Sequence, residues 1–168
     1  MCRAAGLDAE VAGNIGPAVL DALSARGATG SFAQAWVLEL SSFQLESTES
    51  LAPDAAAMLN LSEDHLDRYA TFDDYAAAKA RIFAGAGVQV LNRDDPASLA
   101  LARAGRPCIT FSLAAPRGAD EFGLIEQDGE AWLAQGARPL IAARALPMAG
   151  RHNAANALAA LALCRVIG

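Results

Sequence analysis

The fold is decided by QAWVLELSS at residues 34–42 and by DAAAMLNLSEDH at residues 54–65. Each is a short apolar run that ends abruptly in polar and acidic residues. A continuous apolar run of this length is typical of a buried strand in a parallel sheet, and the polar residues then begin a loop. We therefore expect two strands that present Glu39 and His65 at their carboxyl ends, the edge of an open α/β sheet where ligands bind.

Strand and helix patterns alternate around these two runs. Apolar positions at helical spacing predict helices over residues 17–26, 72–86 and 95–104, and further apolar runs predict strands over residues 87–92 and 107–112. We expect the first helix to end before Gly27, since glycine commonly follows the last turn of a helix. The alternation favours βαβ units, and hence an α/β fold with a mostly parallel sheet flanked by helices.

The pattern changes after Ala119. Short runs over residues 122–126, 131–134 and 138–141, with a turn at Gln127-Asp128-Gly129-Glu130, predict a small antiparallel β meander. An Ala- and Leu-rich helix is expected over residues 154–166. The length of 168 residues fits one ordinary domain with a sizeable core.

Composition excludes several functional classes. The net charge of −6, without a stripe of Lys and Arg, is unsuited to general binding of DNA or RNA, so we expect no nucleic-acid partner. Cys2, Cys108 and Cys164 are far apart and predict reduced thiols rather than a disulfide framework or a zinc site. No run approaches the roughly 18 apolar residues of a membrane span, so we expect no membrane partner and a cytoplasmic protein.

Three side chains are candidates for a metal or nucleotide site by their position alone. Glu39 ends a strand as the acidic residue of a Walker-B strand does, where a carboxylate holds Mg²⁺ on nucleotide phosphates, although an acid there can equally be solvated or cap a helix. His65 follows two acids at the next strand end, against the alternative of a surface histidine. Lys79 shares a helix face with apolar residues, and a lysine lying along the helix surface is its alternative.

Two further segments have both a functional and a structural interpretation. GNIG at residues 13–16 predicts either a turn whose following helix presents amides to an anion or an ordinary tight turn. His152, Asn153 and Asn156 lie at the predicted start of the last helix, where Asn commonly caps backbone amides and can alternatively recognise a base or sugar. The sequence contains no G-x-x-x-x-G-K-[ST] phosphate loop.

Six segments, in this order, carry a resemblance to a known family. They are GNIG at 13–16, ELSSFQLE at 39–46, NLSEDHLDRY at 60–69, YAAAKARIF at 75–83, LNRDD at 91–95 and GRHNAANALAALAL at 150–163. Together they resemble the Mur ligases of peptidoglycan synthesis, in particular the branch that adds D-glutamate. The resemblance implies that residues 1–168 are the P-loop-NTPase-like central ATP-binding domain of such a ligase.

The resemblance also implies roles for the candidate residues. Glu39 and His65 would be ligands of two catalytic Mg²⁺ ions, and Lys79 would carry a carbamate formed with CO₂ that helps to hold the second ion. The substrate or reacting phosphate would contact Asn14, Ser41 and Gln44. The adenine of ATP would lie beside Asn153 and Asn156, and His152 belongs to the same motif.

The implied reaction joins D-glutamate to UDP-N-acetylmuramoyl-L-alanine through an acyl phosphate made with ATP. In this family a phosphate loop and a substrate-binding domain precede the GNIG segment, and a further domain follows the central one. Because these are absent from the 168 residues, we expect a chain incomplete at its N-terminus, inactive alone and dependent on the missing ligase domains. We also expect an exposed apolar flank where the missing strand and helix would pack.

Two alternatives remain open at this point. One is another Mur or folylpolyglutamate synthase-type ligase with a different amino-acid substrate. The other is a non-catalytic module that binds a nucleotide or a metal ion.

Overall fold

The computed structural model describes residues 1–63 and 67–168, which form two compact units. The first unit comprises Met1–Glu49 and the second Ser50–Gly168. Each unit has its own sheet, of two strands in the first and six in the second.

The first unit is a strand–helix–strand arrangement. Its elements are a 3₁₀ turn at Cys2–Ala5, strand β1 at Ala9–Gly13, helix α1 at Val19–Thr29, strand β2 at Ala35–Glu39 and helix α2 at Ser42–Ser47. The two strands are parallel, and their register runs from Ala9 opposite Ala35 to Gly13 opposite Glu39. The strand predicted over residues 34–40 is therefore present as β2, and the helix before it as α1.

Strand β1 was not predicted, because Glu10 interrupts its short apolar pattern and Asp8 directly precedes it. Both acids are paired with Arg26 of α1, whose Nε donates to Glu10 at 2.7 Å and whose Nη1 and Nη2 donate to Asp8 at 2.7 and 2.8 Å. These hydrogen bonds from Arg26 lower the pKa of both carboxyls. The partner lies 16 to 18 residues away, so a local pattern does not reveal it.

The prediction that α1 ends before Gly27 was wrong. The helix continues through Gly27 to Thr29 and ends at Gly30, whose φ of 68° is left-handed. Glycine inside a helix costs only about 1 kcal/mol relative to alanine, so it does not by itself stop a helix. Gly30 is the stop signal because its amide returns to the carbonyls of Arg26 and Gly27.

The second unit contains a six-stranded sheet whose spatial order follows the chain. Its strands are β3 at Ala55–Met58, β4 at Val88–Asn92, β5 at Cys108–Phe111, β6 at Phe122–Gln127, β7 at Glu130–Gln135 and β8 at Arg138–Ala142. Strands β3 to β6 pair in parallel, whereas β6, β7 and β8 pair antiparallel. The predicted α/β class, with a mostly parallel sheet and a terminal meander, is confirmed.

Helices cover both faces of this sheet. They are α3 at Phe72–Ala80, continued by a 3₁₀ turn at Arg81–Phe83, α4 at Pro96–Ala100 and α5 at Arg151–Ile167. Val90 and Leu91 of β4 are adjacent and fully buried, and they belong to different core clusters. Val90 packs with Leu158 of α5, and Leu91 packs with Tyr75 of α3 and with Phe83. Burial on both faces explains why the adjacent residues Val90 and Leu91 are both apolar. The buried Gln89 of the same strand is bonded instead to the backbone of Arg103.

Several predicted helix boundaries were wrong. The helix expected over residues 72–86 ends at Ala80 and tightens into the 3₁₀ turn. The helix expected over 95–104 is only α4, with Asp95 as its N-cap and Pro96 in its first turn. The last helix begins at Arg151, three residues early, with Gly150 as its N-cap. A helix begins and ends where its terminal amides and carbonyls find capping partners, and the spacing of apolar residues does not show where that is.

A search of the described part of the chain for long apolar helices finds none able to cross a membrane.

The pairing of Gly13 with Glu39 gives the first testable prediction. Gly13 has a φ of 135°, and a Cβ there would lie 2.0 Å from the carbonyl oxygen of Glu39. We expect Gly13→Ala to separate the two strand ends and to lower the free energy of unfolding by about 2 kcal/mol. Urea unfolding followed by Trp36 fluorescence, in a Trp132→Phe background, measures this.

Gly27→Ala is the matched control, because a Cβ there meets nothing within 4 Å and Gly27 lies inside α1. We expect this variant to raise the free energy of unfolding by up to about 1 kcal/mol. Equal stability of Gly13→Ala and the unsubstituted protein would show that the two strand ends do not approach as described.

Candidate functional site

The carboxyl end of β2 brings Glu39 and Asn14 together. The amide nitrogen of Asn14 donates to the carbonyl oxygen of Glu39 at 2.7 Å, and Asn14 Nδ2 lies 3.5 Å from Glu39 Oε1. Both side chains are exposed. The carboxylate of Glu39 is thus held close to the end of its strand while its oxygens face solvent, where they can accept a ligand.

Gly13 also belongs to this site, and the sequence analysis did not recognise its contact with Glu39. Only a glycine fits opposite Glu39, and its amide nitrogen donates to the carbonyl oxygen of Pro17 at 3.0 Å. The turn that follows β1 is therefore closed on itself and set against Glu39. The GNIG motif contained the signal, since a glycine at a strand end indicates close backbone approach.

Ser41 and Gln44 interact with each other at the start of α2. Ser41 Oγ accepts from the amide of Gln44 at 3.3 Å, and Gln44 Oε1 accepts from the amide of Ser41 at 2.9 Å. This reciprocal pair is a capping box, which satisfies two amides that a helix start leaves without partners. Sequence reasoning assigned both residues to substrate and overlooked this local role, although S-x-x-Q is the signature of the motif.

In the second unit, the segment after β3 carries the next group of candidates. Ser62 and Glu63 are exposed, and Leu61 is buried in the core. His65, the predicted metal ligand, lies outside the described residues, as do Asp64 and Leu66.

Lys79 lies in the last turn of α3, one helical turn after Tyr75. It is half-buried, and its Nζ is 5.9 Å from the centroid of the Tyr75 ring, within the range of a cation–π contact. Tyr75 is itself buried against Tyr69, with ring centroids 5.3 Å apart. The lysine stem is therefore placed along the buried face of α3.

Helix α3 begins with a side-chain cap and has charges that suit its dipole at both ends. Thr71 Oγ1 accepts from the amide of Asp74 at 3.1 Å and donates to the carboxylate of the same residue at 2.8 Å. Asp73 and Asp74 place negative charge at the N-terminus of the helix and Lys79 places positive charge in its last turn, as the helix dipole favours.

The start of α5 holds the three remaining candidates. Asn153 Nδ2 donates to the carbonyl oxygen of Ala149 at 2.8 Å, so its side chain does not act as the helix cap that its position suggested. Gly150 caps the helix without a side-chain hydrogen bond, and the His152 ring lies against it. His152 and Asn156 are exposed, and Asn153 is half-buried.

The structure therefore joins some of the predicted residues directly. Asn14 contacts Glu39, and Ser41 contacts Gln44, in the first unit. In the second unit, Lys79 lies on α3, and His152, Asn153 and Asn156 lie in the first two turns of α5. Among residues 1–63 and 67–168 no three His, Cys, Asp or Glu side chains cluster closely enough to hold a metal ion. The predicted set of Glu39, His65 and Lys79 stays a prediction.

Comparisons with known proteins agree on one family. The sequence pattern of the Mur ligase middle domain matches residues 19–164. The chain is 64% identical, over 99% of its length, to a UDP-N-acetylmuramoylalanine–D-glutamate ligase of Nitrosospira multiformis. It is 58% identical, over 98% of its length, to a ligase of the same name from Aromatoleum aromaticum. The chain spans 36% and 35% of the length of these two relatives.

Solved structures show the same fold at low sequence identity. A UDP-N-acetylmuramate:L-alanyl-gamma-D-glutamyl-meso-diaminopimelate ligase from Neisseria meningitides matches 82% of this chain and 45% of its own, with a TM-score of 0.59 and 20% identity. MurF from Acinetobacter baumannii matches 80% of this chain and 31% of its own, with a TM-score of 0.58 and 21% identity. With the family pattern extending over residues 19–164, the chain belongs to the Mur ligase family and contains its middle domain.

Proposed function

We propose that this chain is the central ATP-binding part of a MurD-type ligase, which joins D-glutamate to UDP-N-acetylmuramoyl-L-alanine. The observation that carries the proposal is the 64% identity, over nearly the whole chain, to a relative with that name. The solved structures, at 20% and 21% identity, support the fold and leave the amino-acid substrate undecided. The proposed setting is the cytoplasm, with the phosphate loop and the other ligase domains supplied outside these 168 residues.

The first part of the proposal is that Glu39 and His65 bind Mg²⁺. Carboxylate oxygen is a ligand that Mg²⁺ prefers. The carboxylate of Glu39 is exposed, and its Oε1 lies at the long distance of 3.5 Å from Asn14 Nδ2. That carboxylate is therefore fixed through its backbone, and within residues 1–63 and 67–168 it takes part in no ion pair. Magnesium bound with ATP offsets the repulsion between a substrate carboxylate and the triphosphate.

The second part concerns Lys79, which we propose reacts with CO₂ to form a carbamate. The neutral amine adds to the carbon of CO₂ and loses one proton, so that an ammonium becomes a carboxylate-like anion that can face a metal ion. Lys79 is the single lysine among 168 residues, and the other twelve of the 13 basic side chains are arginine. Arginine is always protonated and cannot form this group, which supports a specific need for an amine at position 79.

The third part assigns substrate and nucleotide contacts. We propose that Asn14, Ser41 and Gln44 face the UDP-linked substrate or its reacting phosphate, with the Ser41–Gln44 capping box holding the chain that presents them. Asn153, Asn156 and His152 are proposed to lie beside adenine. Asn153 is anchored to Ala149, and the exposed Asn156 lies on the same side of α5, three residues later.

The proposed reaction has two chemical steps. The carboxylate of UDP-N-acetylmuramoyl-L-alanine attacks the γ-phosphorus of ATP and displaces ADP, giving an acyl phosphate. The amine of D-glutamate then attacks the acyl carbon, and inorganic phosphate leaves as the amide forms. Residues of this chain would bind and orient the reactants, which supplies much of the rate acceleration in phosphoryl transfer.

The amino-acid substrate is tested with the full-length protein that carries this chain. We expect phosphate release from ATP, in the presence of UDP-N-acetylmuramoyl-L-alanine, to be stimulated by D-glutamate at least about 100-fold more than by L-glutamate or meso-diaminopimelate. The 168-residue chain alone, which contains no phosphate loop, is the control and is expected to give no turnover. Stimulation by a different amino acid would identify another ligase of the family, and ATP binding without turnover would identify a binding module.

The role of Lys79 is tested by substitution in the same full-length protein. Lys79→Ala is expected to lower turnover at least about 100-fold, because an anion that organises the reaction centre is lost. Added acetate or propionate should restore part of the activity by supplying a carboxylate in the space left by the side chain. Lys79→Arg is the matched control, since it keeps the charge, cannot form a carbamate and leaves no space for the acid. Activity of Lys79→Arg near that of the unsubstituted protein would contradict the carbamate.

A further inference from the structure

We draw no further inference here: the strongest candidate, the exposed apolar surface patch that Val11 and Val37 form side by side on strands β1 and β2 of the first unit, carries none, since nothing in the described part of the chain shows what covers it.

Discussion

Parallel strands create a constraint at their carboxyl ends, and the chain that follows the strands in each unit depends on it. Such strands are not joined by tight hairpins, so the backbone groups just beyond each strand must find partners elsewhere. Glu39 at the end of β2 has its carbonyl bonded to the amide of Asn14, and Leu61 beyond β3 has its amide bonded to Asp95. Leu113 beyond β5 is held in the same way by Asp94. The hydrogen bonds that satisfy the backbone beyond these strands therefore also fix the positions of Glu39, Asp94 and Asp95.

This constraint connects local structure to the proposed chemistry. Ligation of a carboxylate to an amine through an acyl phosphate requires positioned charge more than it requires covalent help from the protein. Glu39 has such a position because Gly13 lets the two strand ends meet closely, and Lys79 because its stem lies over the buried ring of Tyr75. In both cases backbone or core contacts fix the residue, and the group proposed to react is exposed in Glu39 and half-buried in Lys79.

Sequence patterns anticipated the features that burial determines. The strands β2 to β5 and the meander were predicted because apolar runs and turn residues are local signals. Strand β1 was not, because the acids Asp8 and Glu10 obscure its short apolar pattern, and their partner Arg26 lies on the following helix. The ends of α1, α4 and α5 were wrong because caps, rather than apolar spacing, set them.

The candidate site was predictable to a different extent. Glu39 and Asn14 were chosen separately and are in contact. The mutual capping of Ser41 and Gln44, and the hydrogen bond from the amide of Leu61 to Asp95, depend on geometry that the choice of residues did not use. The contact of Asp95 with the amide of Leu61 in particular requires knowing that the chain after β3 lies beside the chain after β4. No spacing within the LNRDD segment contains that information.

The account is tested most directly by locating the metal ion. Crystals of the full-length protein with Mn²⁺ and a non-hydrolysable ATP analogue would show the ion by its anomalous scattering. We predict a peak at about 2.1 Å from a carboxylate oxygen of Glu39. A nucleotide-bound metal ion with no ligand from Glu39 would contradict the claim that the end of β2 is a metal-binding edge.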